Sequence, residues 1–112
     1  MPLEKAIPIL AHHARKKGLS VEAWLNRQVR EKLGRDFGLR LEELSERAEV
    51  WPIDRLAQLE RHGRSTPESE LDPIVIIELA GGIHLIDGGN RINKWIAEGA
   101  KNDHKVLVLS PL

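Results

Sequence analysis

Between Ile83 and Gly99 the chain reads IHLIDGGNRINKWIAEG, an apolar run that stops at a glycine pair with an arginine just beyond it. Ile83, Leu85 and Ile86 predict a strand, Asp87-Gly88-Gly89 a turn, and Asn90 to Glu98 a helix that Gly99 ends. The first N–H groups of such a helix have no partner within it and sit at the positive end of its dipole, so an anion can settle there. Arg91 adds a permanent charge and a planar fork of donors that matches phosphate oxygens. Gly88, Gly89, Asn90 and Arg91 are therefore candidate phosphate-binding residues. The competing reading of the same residues is an ordinary strand-to-helix turn, its glycines chosen for backbone angle and its arginine at the surface.

Two neighbours extend this candidate site. His84 alternates with Ile83 and Leu85 on the short strand, where it is either a phosphate contact and proton carrier or a surface-facing histidine. Asp87 could hold Mg²⁺ bridging to phosphates, accept a proton from an attacking hydroxyl, or simply cap the turn through backbone N–H groups. A catalytic role for it would need a partner that only the fold could supply. The other histidines form no metal site: His12 and His13 point about 100° apart on a helix, and His62 and His104 fall in hydrophilic segments. Trp95 follows Arg91 by one helical turn, but alignment with Ile92 favours core packing over base stacking.

The order of features from Asp72 to Leu109 resembles the ParB/sulfiredoxin superfamily. Its P-I-x-V strand corresponds to Pro73-Ile74-Val75-Ile76, its hairpin turn to Ala80-Gly81-Gly82, its G-x-x-R to Gly88–Arg91, and its last strand to Val106–Leu109. Trp51-Pro52-Ile53-Asp54-Arg55-Leu56 is similar to the family's opening strand. The resemblance implies an α+β fold with N-terminal helices packed beside a small mixed sheet of that type. It also implies nucleotide phosphates cradled at Gly88 to Arg91, with a phosphohydrolase or nuclease activity as found in parts of the family. Sulfiredoxin chemistry is excluded, since Gly89 stands where those enzymes carry their cysteine and the chain has no cysteine. Ala57 to Leu71 is short and hydrophilic where ParB relatives have a longer helical segment.

Elements that must position this site are legible upstream. Leu3, Ile7, Leu10, Ala11 and Ala14 recur at helical spacing, predicting a first helix from Leu3 to Lys17 whose start Pro8 pushes toward Ile7. Ser20 caps a second helix, Val21 to Leu33, striped by Val21, Trp24, Leu25 and Val29 and closed by Gly34. A third helix is expected over Arg40 to Ala48. From Val50 on, the spacing of Leu56 and Leu59 slightly favours a helix capped by Asp54 and running to His62, while the resemblance implies a strand over Val50 to Arg55 with a short helical turn after it, and the strand is the expectation taken. The division expected is a helical region, 1–49, and a ParB-like core, 50–112.

The 112 residues carry 17 basic and 17 acidic side chains, but unevenly. Residues 1–40 hold nine Lys/Arg against four Asp/Glu, and residues 41–112 hold eight against thirteen. The basic arm, with Arg27, Arg30 and Lys32 on its second helix, either binds nucleic acid or faces the chain's own acidic half. That leaves two functions open: a nucleotide- or phosphate-binding domain, its cofactor a nucleotide with or without Mg²⁺, or a non-catalytic DNA- or protein-binding module. No apolar run approaches the roughly 20 residues of a membrane span and no signal peptide is visible, so a soluble, cytoplasmic protein is the expectation.

Overall fold

The computed structural model describes residues 3–61 and 73–112. It is an α+β fold whose sheet runs in the order β1-β4-β2-β3, built from β1 (Leu44–Pro52), β2 (Ile74–Leu79), β3 (Gly82–Asp87) and β4 (Asp103–Pro111). β1/β4 and β2/β3 are antiparallel, while the central pair β2/β4 is parallel. The two central strands carry the apolar runs Ile74-Val75-Ile76-Ile77 and Val106-Leu107-Val108-Leu109, all buried, because both faces of the sheet are covered.

On one face lie α1 (Ala6–Lys16) and α2 (Val21–Leu33), whose Leu10, Ala14, Leu25 and Val29 pack on Val75, Ile77, Leu107 and Leu109. On the other lie the single turn α3 (Ile53–Leu56) and α4 (Gly89–Ala97), whose Leu56, Ile92 and Trp95 meet Ile74, Ile76, Val106 and Val108. α2 has the bounds its signals predict: Ser20 Oγ accepts from the Ala23 N–H at 3.1 Å and Gly34 closes the helix with φ +76°. α1 starts at Ala6, earlier than Pro8 suggested, since a proline at the third helical position has no intrahelical N–H bond to lose. The Glu46 carboxylate accepts from the Lys5 and Ala6 N–H groups at 2.7 and 2.9 Å, a negative charge at the positive end of α1 supplied from across the fold.

The helix expected over Arg40 to Ala48 is absent. A 3-10 turn at Leu41–Glu43 leads instead into β1, which continues across position 49/50 to Pro52, and the strand expected over Val50 to Arg55 gives way to α3 at Ile53. The reason is pairing. β4 is flanked by β2 on one side only, and nine consecutive residues of β1 complete its other side, so a tertiary ladder overrides the local helical period. His104, expected in a hydrophilic segment, is on β4 with its ring stacked on Trp95 at 3.6 Å between centroids. His62 and most of the hydrophilic segment 57–71 lie outside the described residues, as does Asp72 before the P-I-x-V strand. Among the described residues no helix is long and apolar enough to cross a membrane.

Candidate functional site

The hairpin from β2 to β3 turns at Ala80-Gly81, both with positive φ (53° and 75°), which returns the chain along the edge of the sheet toward the glycine pair. Near the end of β3 the register breaks: Ile76 faces Leu85 and Val75 faces Asp87, leaving Ile86 as the extra residue of a β-bulge. The bulge re-aims the side chains. Leu85 enters the core beneath α4, Ile86 enters the core beneath α1 and α2, and Asp87 is carried to the side of α1.

There Asp87 forms the centre of a polar chain. Its Oδ1 lies 3.0 Å from His13 Nε2 of α1, and its Oδ2 accepts from Arg91 Nη2 at 3.1 Å. Arg91 also donates to the Pro73 carbonyl at 3.4 Å, and its side chain is only 3% exposed. The His13 ring is stacked on Trp24 of α2 at 5.5 Å, which fixes its plane. Arg91 was expected to present an open fork at the helix mouth. A guanidinium taken out of water needs a paired anion, and the carboxylate four residues earlier on the same turn supplies it, so the fork faces Asp87 and Pro73.

Gly88 also has an internal reason. Its φ of +113° is one that side chains rarely adopt, and a Cβ there would fall 2.3 Å from Ile74 Cδ1 and 3.2 Å from Arg91 Nη2. The close approach it permits is that of the turn to β2. Its carbonyl accepts from the Ile92 N–H at 3.0 Å, opening α4.

Gly89 and His84 belong to a different surface. With Lys32 they line a cleft of about 700 Å³ along the outer edge of β3, bounded by α2 on one face of the sheet and by the segment after α3 on the other. Four successive residues of β3, Ile83 to Ile86, form its floor, and Gln28 and Gln58 add neutral polar groups. Glu31 and Glu60 also border it. Glu31 is engaged by Arg27 Nε at 3.3 Å. His84 Nε2 is shielded from solvent and tucked against Gly82, the position of a Cβ on that glycine being 3.3 Å away.

The fold thus divides the expected constellation. Asp87, Gly88 and Arg91 form an internal brace, and Gly89, His84 and Lys32 share the cleft. Asn90 follows Gly89 in the first turn of α4. Arg27 and Arg30 do not join Lys32 in one basic face: each is paired locally, Arg27 with Glu31 and Arg30 with Asp36 at 3.9 Å. Both oxygens of Asp87 are engaged, and among the described residues no group of three or more His, Cys, Asp and Glu is placed to hold a metal ion. His13 was passed over in the sequence. Its signal was its position three residues after Leu10 and next to Ala14, on the margin of the stripe α1 buries. Trp24, Trp51 and Trp95 are all buried, with the Arg55 guanidinium 3.6 Å over the Trp51 ring. No family model, curated protein or solved structure matches this chain.

Proposed function

We propose that this protein binds a phosphate-bearing small molecule of nucleotide size in the cleft along β3, with the phosphate at the Gly89 end. The observation that carries this reading is that one cleft joins the mouth of α4 to a cation, Lys32, and to a histidine, His84. Helix N-termini and nearby cations both favour negative charge, and a volume of about 700 Å³ falls within the range of small-molecule sites. In this reading the Asp87–Arg91 brace positions the turn, and Gly89 and Asn90 offer the first N–H groups of the helix. Gln28, Gln58 and the carboxylates suit the hydroxyls and amines of a nucleoside. The proposal is one of binding. Asp87 is committed to His13 and Arg91, so hydrolysis of the ligand would need a base from elsewhere.

The alternative module that binds DNA through Arg27, Arg30 and Lys32 is less well supported, because Arg27 and Arg30 border a different surface from Lys32 and each has an acidic side chain within 4 Å. The deciding experiment is a thermal-shift series with inorganic phosphate, pyrophosphate, AMP and ATP, each with and without Mg²⁺. A ligand at about 100 times its Kd stabilises the native state by about 2.7 kcal/mol, a shift of several degrees. Lys32→Glu should abolish the shift without lowering the melting temperature of the free protein. No shift with any of these ligands defeats the reading. Retention of the full shift in Lys32→Glu removes the cleft from it.

A further inference from the structure

β1 is an edge strand that lacks two of the usual protections of an edge, since it is neither short nor bulged. Among the described residues it pairs with β4 alone, and its nine residues run in register from Leu44↔Pro111 to Pro52↔Asp103 without a bulge. Its middle exposes two aliphatic residues, Ala48 and Val50, the latter 64% exposed. Long, regular edges present a row of outward N–H and C=O groups that templates a further strand. The guards here are Arg47 and Glu49, adjacent on one face, and their signs are opposite.

That pair of signs selects an occupant. When two copies of β1 meet antiparallel about a two-fold axis normal to the sheet, each residue faces one of the same parity, and the register is fixed by the residue on the axis. With Arg47 on the axis, arginine faces arginine, and with Glu49 on the axis, glutamate faces glutamate. Both registers place like charges about 5 Å apart at Cβ and are disfavoured. With Ala48 on the axis, Arg47 of each copy faces Glu49 of the other, the small Ala48 side chains meet at the centre, and all nine residues of both strands are opposed. Glu46 then faces Val50, with its methylenes against the exposed valine.

We propose that the outer edge of β1 is a self-association surface, on which a second copy of this chain pairs antiparallel about Ala48 to give one continuous eight-stranded sheet. Within a single chain Arg47 already bonds Glu49 and Glu78, and it donates to Ser110 Oγ at 3.0 Å. The guanidinium therefore lies inward of the edge, over β4, and on dimerisation it swings outward to meet a partner's Glu49, exchanging bonds within its own chain for one across the interface. A single added strand pair is a small interface, so a reversible dimer of micromolar or weaker Kd is expected.

Sedimentation velocity over a concentration series, up to roughly 0.5 mM so as to exceed such a Kd, tests the proposal with two charge reversals. Wild type should show a reversible monomer–dimer equilibrium. Arg47→Glu and Glu49→Arg should each raise the dimer Kd at least about tenfold, since both symmetric pairs become repulsive. An equimolar mixture of the two variants should form a heterodimer. There the glutamate introduced at position 47 of one copy faces the arginine introduced at position 49 of the other, and the unaltered Glu49 and Arg47 face each other as in wild type. The double variant should recover self-association even if a single variant loses stability. A wild type that stays monomeric throughout overturns the proposal. So does a dimer indifferent to single reversal, or a mixture that fails to associate.

Discussion

The two edges of the sheet are built differently. β3 is six residues long and interrupted by a bulge, and it ends in the Asp87–Arg91 brace with a cleft along its outer side. β1 is nine residues long, regular and charged, and among the described residues no strand pairs with its outer side. The contrast shows how one small sheet can separate a concave ligand surface from an extended pairing surface. A bulge breaks the ladder and re-aims side chains, which suits a site and discourages strand addition. An unbroken register leaves the ladder open to another strand.

The same ion types have different consequences at the two edges. Arg91 and Asp87 are 3% and 12% exposed, so removing either leaves a charge in a poorly solvated place. Arg47, Glu49 and Glu78 sit at the surface, where water replaces a lost partner. The Glu49 carboxyl is nonetheless held below its ordinary value of 4.5, first by the Trp51 indole N–H and then by Arg47.

The substitution that should do most damage is Gly88→Val at the β3 end. A Cβ 2.3 Å from Ile74 at φ +113° combines overpacking with backbone strain, for a loss of about 4 kcal/mol in urea unfolding. A loss under about 1 kcal/mol would mean that the turn relaxes freely and is no fixed brace. Next comes Arg91→Ala, expected to cost about 3 kcal/mol by breaking a buried pair. Arg47→Ala at the other edge should leave the melting temperature of the dilute protein unchanged within error. If both arginine variants melt alike, the distinction between the edges fails.

His13→Ala removes the imidazole beside Asp87 together with its stacking on Trp24 and should cost about 1 kcal/mol, the scale of one ring contact or one partly exposed ion pair. A double-mutant cycle with Asp87→Asn checks it, since additive losses would show that the two side chains do not interact. The smallest effect is the pH dependence at Glu49. A carboxyl whose folded pKa is depressed stabilises in full above its ordinary value and loses that contribution as pH falls through the folded value. Glu49→Gln should therefore melt slightly below wild type at pH 7, and the gap should narrow as the pH falls below the ordinary value of 4.5. A gap that is constant with pH would remove charge as its cause.

Much of the β3 region was readable from residue order. An alternating run, an Asp-Gly-Gly turn, an amphipathic helix and a terminal glycine are local signals, and β3, α4 and the left-handed Gly88 and Gly99 follow them within a residue or so. The capped and striped α2 was equally legible. Residues 40–48 were not. Leu41, Leu44 and Ala48 fit a helical period, while the strand they form depends on β4, sixty or so positions away in the sequence. No local pattern carries that information.

The site divides along the same line. Sequence determined that a glycine-mediated turn would open α4 beside an arginine and an aspartate, because turn chemistry and helix capping act over four or five residues. Only the tertiary structure decided what those charges face. The bulge at Ile86 turns Asp87 toward α1, burial then requires Arg91 to pair with it, and the packing of α2 against the sheet brings Lys32 to the same cleft as His84 and Gly89. Ion pairing and cleft formation depend on dielectric and on which surfaces meet, and both are properties of the packed molecule that no stretch of the chain carries by itself.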